Sequence, residues 1–321
     1  MIHMAQRMLL PTSTVLLGGQ ENEAARRLAL NDLHILKRGP VITIEAISEY
    51  YAMTDQESWG FEDFPNCAPP FRSCVLQWTT PNRIKRKGRD ELINVQSQQA
   101  VVMYSFDRED EFGRETLEKL SAKQFPDTEG SELTAKQAID QCRWVVSFSM
   151  WIAPFDRQCV GKAHCLGVKA LVMVDRAGRG IYGCLSGPLL HRLAALPDGV
   201  NGAWCTIHVA LLAISFMHCK NITIKDDRDS LPSAKWHRRQ RVPVVTNKVL
   251  NIAPMREVLR REGGSDEVGG KRALHICRGH FSTYNDEAPL FGKITGTFWV
   301  PQHVRGTKEA GEVVKDYEIR D

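Results

Sequence analysis

The feature that most constrains the fold is the most apolar stretch of the chain, from Ala203 to Met217. Its apolar side chains surround nearly the whole circumference of a helix, and such a helix is stable in water only when neighbouring elements cover most of it. The stretch is about five residues too short to cross a bilayer, and it contains His208. The sequence therefore predicts a buried central helix and no membrane span.

Apolar periodicity predicts the elements around this helix. Helical spacing predicts a helix from Glu21 to Lys37, which Gly39-Pro40 ends. Apolar and alternating runs predict strands. The strands are expected at 71–78, 100–106, 143–151, 165–174, 181–185, 222–224, 244–252, 273–277, 296–300 and 313–319, and a further helix at 254–261. We expect an α+β fold with a largely antiparallel sheet around the central helix, about 203–217, and a small C-terminal β module.

A strongly charged segment from Asp107 to Asp140 is the candidate boundary between two regions of the chain. It predicts an N-terminal α+β region, 1–140, and a C-terminal α+β region, 141–321, with a basic segment at 235–261. A chain of 321 residues is also compatible with a single large domain.

Cysteine usage predicts a reducing compartment. The nine cysteines are odd in number, and several lie inside apolar runs, as Cys165 does. Buried thiols explain this pattern better than a secreted disulfide framework. The first apolar patch of the chain is cut short by Pro11, so no secretory signal is predicted. We expect a cytoplasmic protein.

The positive charge is concentrated in two clusters. Lys235 to Arg261 contains eight basic residues and one acidic residue, and a second cluster lies between Arg83 and Arg89. The second cluster falls between two predicted strands and is expected at the tip of a long, exposed hairpin. Local basic clusters in a nearly neutral chain are typical of phosphate contact, although plain solvated surface gives the same pattern. The candidate nucleic-acid-binding residues are Lys235, Arg238, Arg239, Arg241, Arg83, Lys85, Arg86 and Lys87.

One motif resembles a nucleotide-binding site and fails on closer inspection. Gly178, Gly180 and Gly183 have the spacing of a dinucleotide-binding fingerprint, but the residues after Gly180 predict a returning strand and not a helix. No phosphate-loop sequence occurs anywhere in the chain. We expect no cofactor.

Histidine and cysteine are clustered near the C-terminus, at His275, Cys277, His280 and His303. His275 and Cys277 share a face if they lie on a strand, which makes a zinc site conceivable. Their spacing matches no common zinc module, so the sequence favours no metal site. The same region can also serve as a metal-independent RNA-cleaving site, with His280 or Tyr284 moving a proton and Arg278 stabilising the transition state. A third interpretation is a small β module whose aromatic residues pack.

Several segments of the last 110 residues or so resemble an uncharacterised family of proteins from phages, prophages and other bacterial mobile elements. The matching segments are Ser215–Asn221, Arg278–Phe281, Pro289–Lys293, Gly296–Trp299, Val304–Gly306 and Lys315–Tyr317, with a fainter likeness at Pro69–Phe71. No activity or site residue comes with this family. The resemblance implies a mobile-element protein in a bacterial cytoplasm, where common tasks are nucleic-acid handling, toxin action and interference with host defence.

These observations favour a nucleic-acid-interacting protein of a phage or mobile element, with RNA and DNA both open as partners. One alternative is a metal-independent RNA-cleaving or toxin-like enzyme. Another is an adaptor that binds a host protein without catalysis and whose basic segment is a solvated face.

Overall fold

The computed structural model confirms the α+β fold. It describes residues 4–9, 14–15, 23–54, 59–85, 92–118, 133–153, 163–227, 234–240, 247–252, 273–277, 279–290, 294–300, 303–305 and 307–312. The helices are α1 Met4–Met8, α2 Glu23–Leu36, α3 Glu45–Ala52, α4 Glu111–Glu118, α5 Ala135–Gln141, α6 Leu190–Ala194, α7 Gly199–Met217 and α8 Ala234–Gln240, with a 3-10 turn at Phe61–Asp63.

The strands of the first part of the chain are β1 Thr14–Val15, β2 Val41–Thr43, β3 Ser73–Lys85, β4 Leu92–Asp107, β5 Trp144–Ala153, β6 His164–Val174, β7 Gly180–Ser186, β8 Ile222–Asp227 and β9 Asn247–Ile252. They form one nine-stranded sheet in the order β1-β6-β5-β4-β3-β2-β9-β8, with β7 paired to β6. The run from β3 to β7 is antiparallel, as predicted. Parallel pairs join β1 to β6 and join β2 to β3 and β9.

Helices cover the sheet on both faces. The α2 helix packs on the face that carries Ala100 and Trp151, where Trp151 donates a hydrogen bond to Asp32 of that helix. The α7 helix packs on the opposite face, where its Trp204 ring lies against Gly183 of β7. Alternation along a strand sends neighbouring side chains to opposite faces, so the near-continuous apolar runs of β5 and β6 can fill both layers.

The central helix is present and buried, but it is longer than predicted. It begins at Gly199, four residues before the expected start, and its 19 residues are enough to span a membrane by length and composition. The length argument against a membrane span was therefore wrong. Burial is a better argument against a membrane span, because 56% of the most apolar 18-residue stretch of this helix is buried inside the protein, as in the core helix of a soluble domain.

The chain divides into two compact units. Unit 1 contains residues 1–215 and 224–250, and unit 2 contains residues 216–223 and 251–321. This division differs from the predicted boundary at residue 140, because β4 and β5, which flank that position, are hydrogen-bonded neighbours in one sheet. The charged segment between them forms α4 and α5, joined by residues outside the described part of the chain.

Unit 2 contains the small β module. Its strands are β10 Ala273–Cys277, β11 His280–Tyr284, β12 Gly296–Val300, β13 His303–Arg305 and β14 Thr307–Glu312. The β10 and β12 strands have the predicted bounds, and β11 pairs with β12 as an antiparallel ribbon that was not predicted. The predicted helix at 254–261 and the strand at 313–319 lie outside the described residues.

Candidate nucleic-acid interface

The cations of the basic segment share one face of α8. Lys235, Arg238 and Arg239 are exposed, and their spacing of three and four residues places them side by side on a helix. His237, between them in sequence, is buried and marks the opposite, inward face. Arg241 lies outside the described residues. Three of the four predicted cations of this segment are thus brought together by the structure.

Within the described part of the chain, no ion pair engages the cations of this face. The α8 sequence contains no acidic residue, and its three exposed cations take part in none of the ion pairs found within the described ranges. Like charges one turn apart destabilise a helix by about 0.2–0.5 kcal/mol per pair. An anion bound across the face would relieve this repulsion, and phosphate groups suit that role.

The second basic cluster belongs to the β3–β4 hairpin, as predicted. The two strands pair continuously from Ser73 opposite Tyr104 to Lys85 opposite Leu92. Arg83 lies opposite Asn94 within this ladder. Arg86 and Lys87 are in the connection between the strands, which lies outside the described residues.

The predicted catalytic residues His280 and Tyr284 lie at the two ends of β11. Four residues along a strand correspond to about 13 Å, so the two side chains share a face but cannot hydrogen-bond directly to each other. The Tyr284 ring makes an edge contact with Phe298, 5.9 Å between ring centres, and packs in a small apolar cluster with Leu290 and Ile294. His280 is exposed, and Arg278 lies outside the described residues.

Three of the segments that resemble the mobile-element family pack against one another inside unit 2. The rings of Phe216, Phe281 and Trp299 contact one another with centres 4.6–5.2 Å apart. The buried Asn221 amide donates to the Trp299 carbonyl at 2.7 Å and accepts from the Trp299 N–H at 3.0 Å. These two bonds satisfy a strand edge in the way a neighbouring strand would. The distinctive residues at these positions therefore have a structural role.

The candidate zinc ligands fall on two different ribbons. Cys277 of β10 lies directly opposite His303 of β13, and His275 is two positions along from Cys277, whereas His280 belongs to the β11–β12 ribbon. Among the residues with described side chains, no group of three or more histidine, cysteine or acidic residues has the arrangement of a metal site.

A polar cluster that sequence reasoning missed lies in unit 1, between α3 and α7. The Tyr51 hydroxyl is 3.1 Å from His208 Nδ1 and also interacts with the Cys205 thiol. Burial lowers the pKa of His208 to about 4, an effect that the Asp63 carboxylate partly opposes. Burial likewise raises the pKa of Tyr51.

Tyr51, His208 and Cys205 can each act as hydrogen-bond donor or acceptor while remaining neutral. With Nδ1 as acceptor, Tyr51 donates to His208, and in the other imidazole tautomer Tyr51 accepts. Trp59, Phe64 and Trp204 pack around the His208 and Tyr51 rings at 5.6–6.1 Å between centres. In the sequence, a single histidine within an apolar helix was the one indication of this cluster. Tyr51 lies 157 residues from His208, and nothing in the sequence around Tyr51 indicates that the two side chains meet.

Six other cysteine thiols of the described chain are buried. Cys67, Cys74, Cys142, Cys165, Cys184 and Cys219 are buried and free of disulfides, and burial raises the pKa of each of these thiols. Among the cysteines whose side chains the structure describes, Cys205 is the partly exposed one. Free thiols at these seven positions agree with the predicted absence of a disulfide framework.

The chain matches no protein-family model, and no curated protein or solved structure matches it significantly.

Proposed function

We propose that this protein is a nucleic-acid-interacting protein of a phage or mobile element that acts in the cytoplasm of a bacterial cell. The observation that carries the proposal is the α8 face of Lys235, Arg238 and Arg239, on which no acidic residue offsets the charge within the described chain. Phosphates repeat along a nucleic acid, so a row of neighbouring cations can contact several at once. The mobile-element setting rests on the resemblance alone.

The experiment replaces the three cations together. Each phosphate contact on a duplex contributes about 0.9 to the slope of log K against log salt, so Lys235→Ala/Arg238→Ala/Arg239→Ala is expected to flatten the slope by about 2–3. Adding Arg241→Ala extends the change to about 3–4 if that residue also contacts a phosphate. Affinity should fall similarly for unrelated sequences, since phosphate contacts carry no sequence information.

A matched control removes the same charge elsewhere in unit 1. Arg26→Ala/Arg27→Ala/Lys37→Ala changes three exposed cations of α2 and its C-terminal end, two of which are engaged with Glu23. This control should leave the slope nearly unchanged. If the wild type, the α8 variant and the control have equal slopes of log K against log salt, the α8 face is only a solvated surface. That result would favour the interpretation as an adaptor that binds a host protein.

A further inference from the structure

We propose that the sheet of unit 1 carries a binding site for a nucleotide, with the phosphate at Lys169 and the base at Tyr104. The site goes beyond the proposed function, because it uses none of the α8 residues. It follows from the pairing register of β3 to β7 and from the contacts of the side chains on one face of these strands.

The site is a half-open strip on the sheet face that α2, α4 and α5 share. On one side of the strip, α2 covers Trp151, which donates a hydrogen bond to Asp32 of that helix. On the other side, α4 and α5 pack in one apolar cluster with Val145 and Met173. Between these two rows, the register aligns six half-buried residues on the same face: Ser73, Tyr104, Ser147, Leu171, Lys169 and Ser186.

Lys169 is a half-buried cation in a largely apolar strand, and it takes part in none of the ion pairs found in the described part of the chain. Burial raises the pKa of Asp32 to about 7 and the pKa of Cys184 to about 11, and the charge of Lys169 opposes both shifts. Lys169 thus acts on both sides of the strip without forming an ion pair. A half-buried cation is costly without a paired charge, and an anionic ligand would supply that partner.

Hydroxyl groups flank Lys169 on both neighbouring strands. Ser186 is its direct partner on β7, and Ser147 lies diagonally across from it on β5. The Cβ atoms at direct and diagonal cross-strand positions are about 4.5–8 Å apart, so these side chains can contact one bound group together. An ammonium group with hydroxyl donors beside it suits a phosphate, whose oxygens accept several hydrogen bonds.

Aromatic rings lie at the other end of the strip. Tyr104 is half-buried, and its ring contacts Phe106 with the ring centres 5.0 Å apart. Phe106 in turn contacts Phe112, at 6.2 Å, and the Arg72 guanidinium lies 5.7 Å from the Phe112 ring centre. Phe112 is 54% exposed. Nucleobases stack on partly exposed aromatic rings and on arginine guanidinium planes, so this end suits a base.

One nucleotide can bridge the two ends. Tyr104 is on β4 and Lys169 is on β6, two strand spacings apart, which is about 10 Å across the sheet. A lysine side chain covers part of this distance, and Ser147 lies on the strand between them. A base inside a duplex is stacked and paired, so it cannot reach a ring on the sheet. The strip therefore fits a nucleotide that is free or belongs to a single strand.

Titration calorimetry of the full-length protein with nucleoside monophosphates, the matching nucleosides and inorganic phosphate tests the site. We expect at least one monophosphate to bind about tenfold or more tightly than its nucleoside and than inorganic phosphate, because each of these reaches only one end of the strip. Single-stranded oligonucleotides then identify the source of the nucleotide. A strand that binds at least as tightly as the monophosphate identifies a unit of a strand, and binding of the monophosphate alone identifies a free nucleotide.

Variants at Lys169 test the phosphate end. Lys169→Met should weaken binding of the monophosphate by about 10- to 100-fold and leave that of the nucleoside unchanged, because only the phosphate loses a charged partner. Lys169→Arg retains the charge and should retain most of the affinity. The matched control is Lys225→Ala, which removes an exposed lysine of β8 and should affect neither ligand.

Variants at Tyr104 test the base end. Tyr104→Leu should weaken binding of both the monophosphate and the nucleoside by about 5- to 100-fold, because a base loses its stacking partner. Tyr104→Phe retains the ring and should bind both as the wild type does. Thermal melts establish that each variant is folded, and because Lys169 and Tyr104 lie on different strands, a folding defect at one position leaves the other as a test.

Three results would overturn the nucleotide inference. These are inorganic phosphate binding as tightly as every monophosphate, absence of monophosphate binding, and affinities that neither Lys169→Met nor Tyr104→Leu lowers. The α8 variant Lys235→Ala/Arg238→Ala/Arg239→Ala should leave binding of the monophosphate unchanged. The nucleotide site and the proposed function of the α8 face can therefore fail independently of each other.

Discussion

A buried carboxyl group on α2 makes the stability of unit 1 depend on pH in a direction opposite to the usual one for aspartate. Asp32 is 3% exposed and accepts a hydrogen bond from Trp151 Nε1 at 2.7 Å. Burial raises its pKa to about 7, although hydrogen bonds from Trp151 and Ser149 and the charge of Lys169 oppose the shift. Lys169 lies opposite Ser149 in the sheet, and Cys165 of the same strand is a second titratable group that interacts with Asp32.

The sign is set by proton linkage. The folded state keeps the Asp32 proton up to about pH 7, whereas the unfolded chain releases it near pH 4, the ordinary value for aspartate. Between these values the folded state binds more protons, so stability falls as pH rises. Three pKa units at about 1.4 kcal/mol each give a loss of about 4 kcal/mol between pH 4 and pH 7, and no further loss above the folded pKa.

Asp32→Asn should remove this dependence. The amide has the shape of the protonated acid, its oxygen can still accept from Trp151, and it is neutral at every pH. We expect the variant to be close to the wild type near pH 4 and more stable than it by about 3–4 kcal/mol near pH 8. Urea unfolding at intervals of pH measures both proteins, and their difference cancels every other titrating group.

The matched control is Glu23→Gln, which neutralises an exposed carboxylate at the start of the same helix. Its unfolding free energy should run parallel to that of the wild type across the whole range. If the difference between wild type and Asp32→Asn stays constant within about 1 kcal/mol from pH 4 to pH 8, the buried carboxyl group does not titrate as argued.

Two pairs of matched positions give further predictions. Asn247 is fully buried, and neither atom of its amide has a hydrogen-bond partner in the described structure, so Asn247→Leu should raise the free energy of unfolding by about 1–3 kcal/mol. Asn221→Leu should instead lower it by about 3 kcal/mol, because a buried N–H and carbonyl lose their partners, and equal effects in urea unfolding would contradict this contrast. Gly187 has a φ of 129°, and an added Cβ would lie 2.7 Å from a backbone oxygen. Gly187→Ala should therefore lower the free energy of unfolding by about 1–3 kcal/mol, which a lower melting temperature would reveal. Gly202→Ala, in α7 with no atom within 4 Å of the added carbon, should raise stability by about 0.5–1 kcal/mol, and a comparable loss in both variants would show that the strain argument fails.

The antiparallel part of the sheet could be predicted because each strand is long and pairs with the next long strand along the chain. The runs that become β3 to β7 are bounded by turns, and pairing of successive strands is the default. The short parallel strands could not be predicted. β1 has two residues and β2 has three, too few to show any periodicity, and β2 obtains its second neighbour from β9, about 200 residues later.

The α8 helix was missed for a different physical reason. A helix is recognised by an apolar stripe, and the segment from Lys235 to Gln240 has three cations where such a stripe would be sought. The residues of the cationic face were nevertheless identified, because charge is visible without knowledge of the fold. What the sequence could not show is that the cations share one side of the helix while His237 turns inward.

The glycine pattern Gly178, Gly180 and Gly183 shows why spacing alone does not define a phosphate site. Gly178 has a φ of 85° at the turn between β6 and β7, a conformation that glycine adopts without strain. Side chains at Gly180 and Gly183 would lie 2.8 Å and 2.5 Å from the Phe61 ring, so these glycines make room for packing. A fingerprint glycine makes room for pyrophosphate in the same way, but there the chain continues into a helix, whose first N–H groups donate to the anion. Here the chain continues into β7, which pairs with β6, so its N–H groups are directed to a strand and not to an anion.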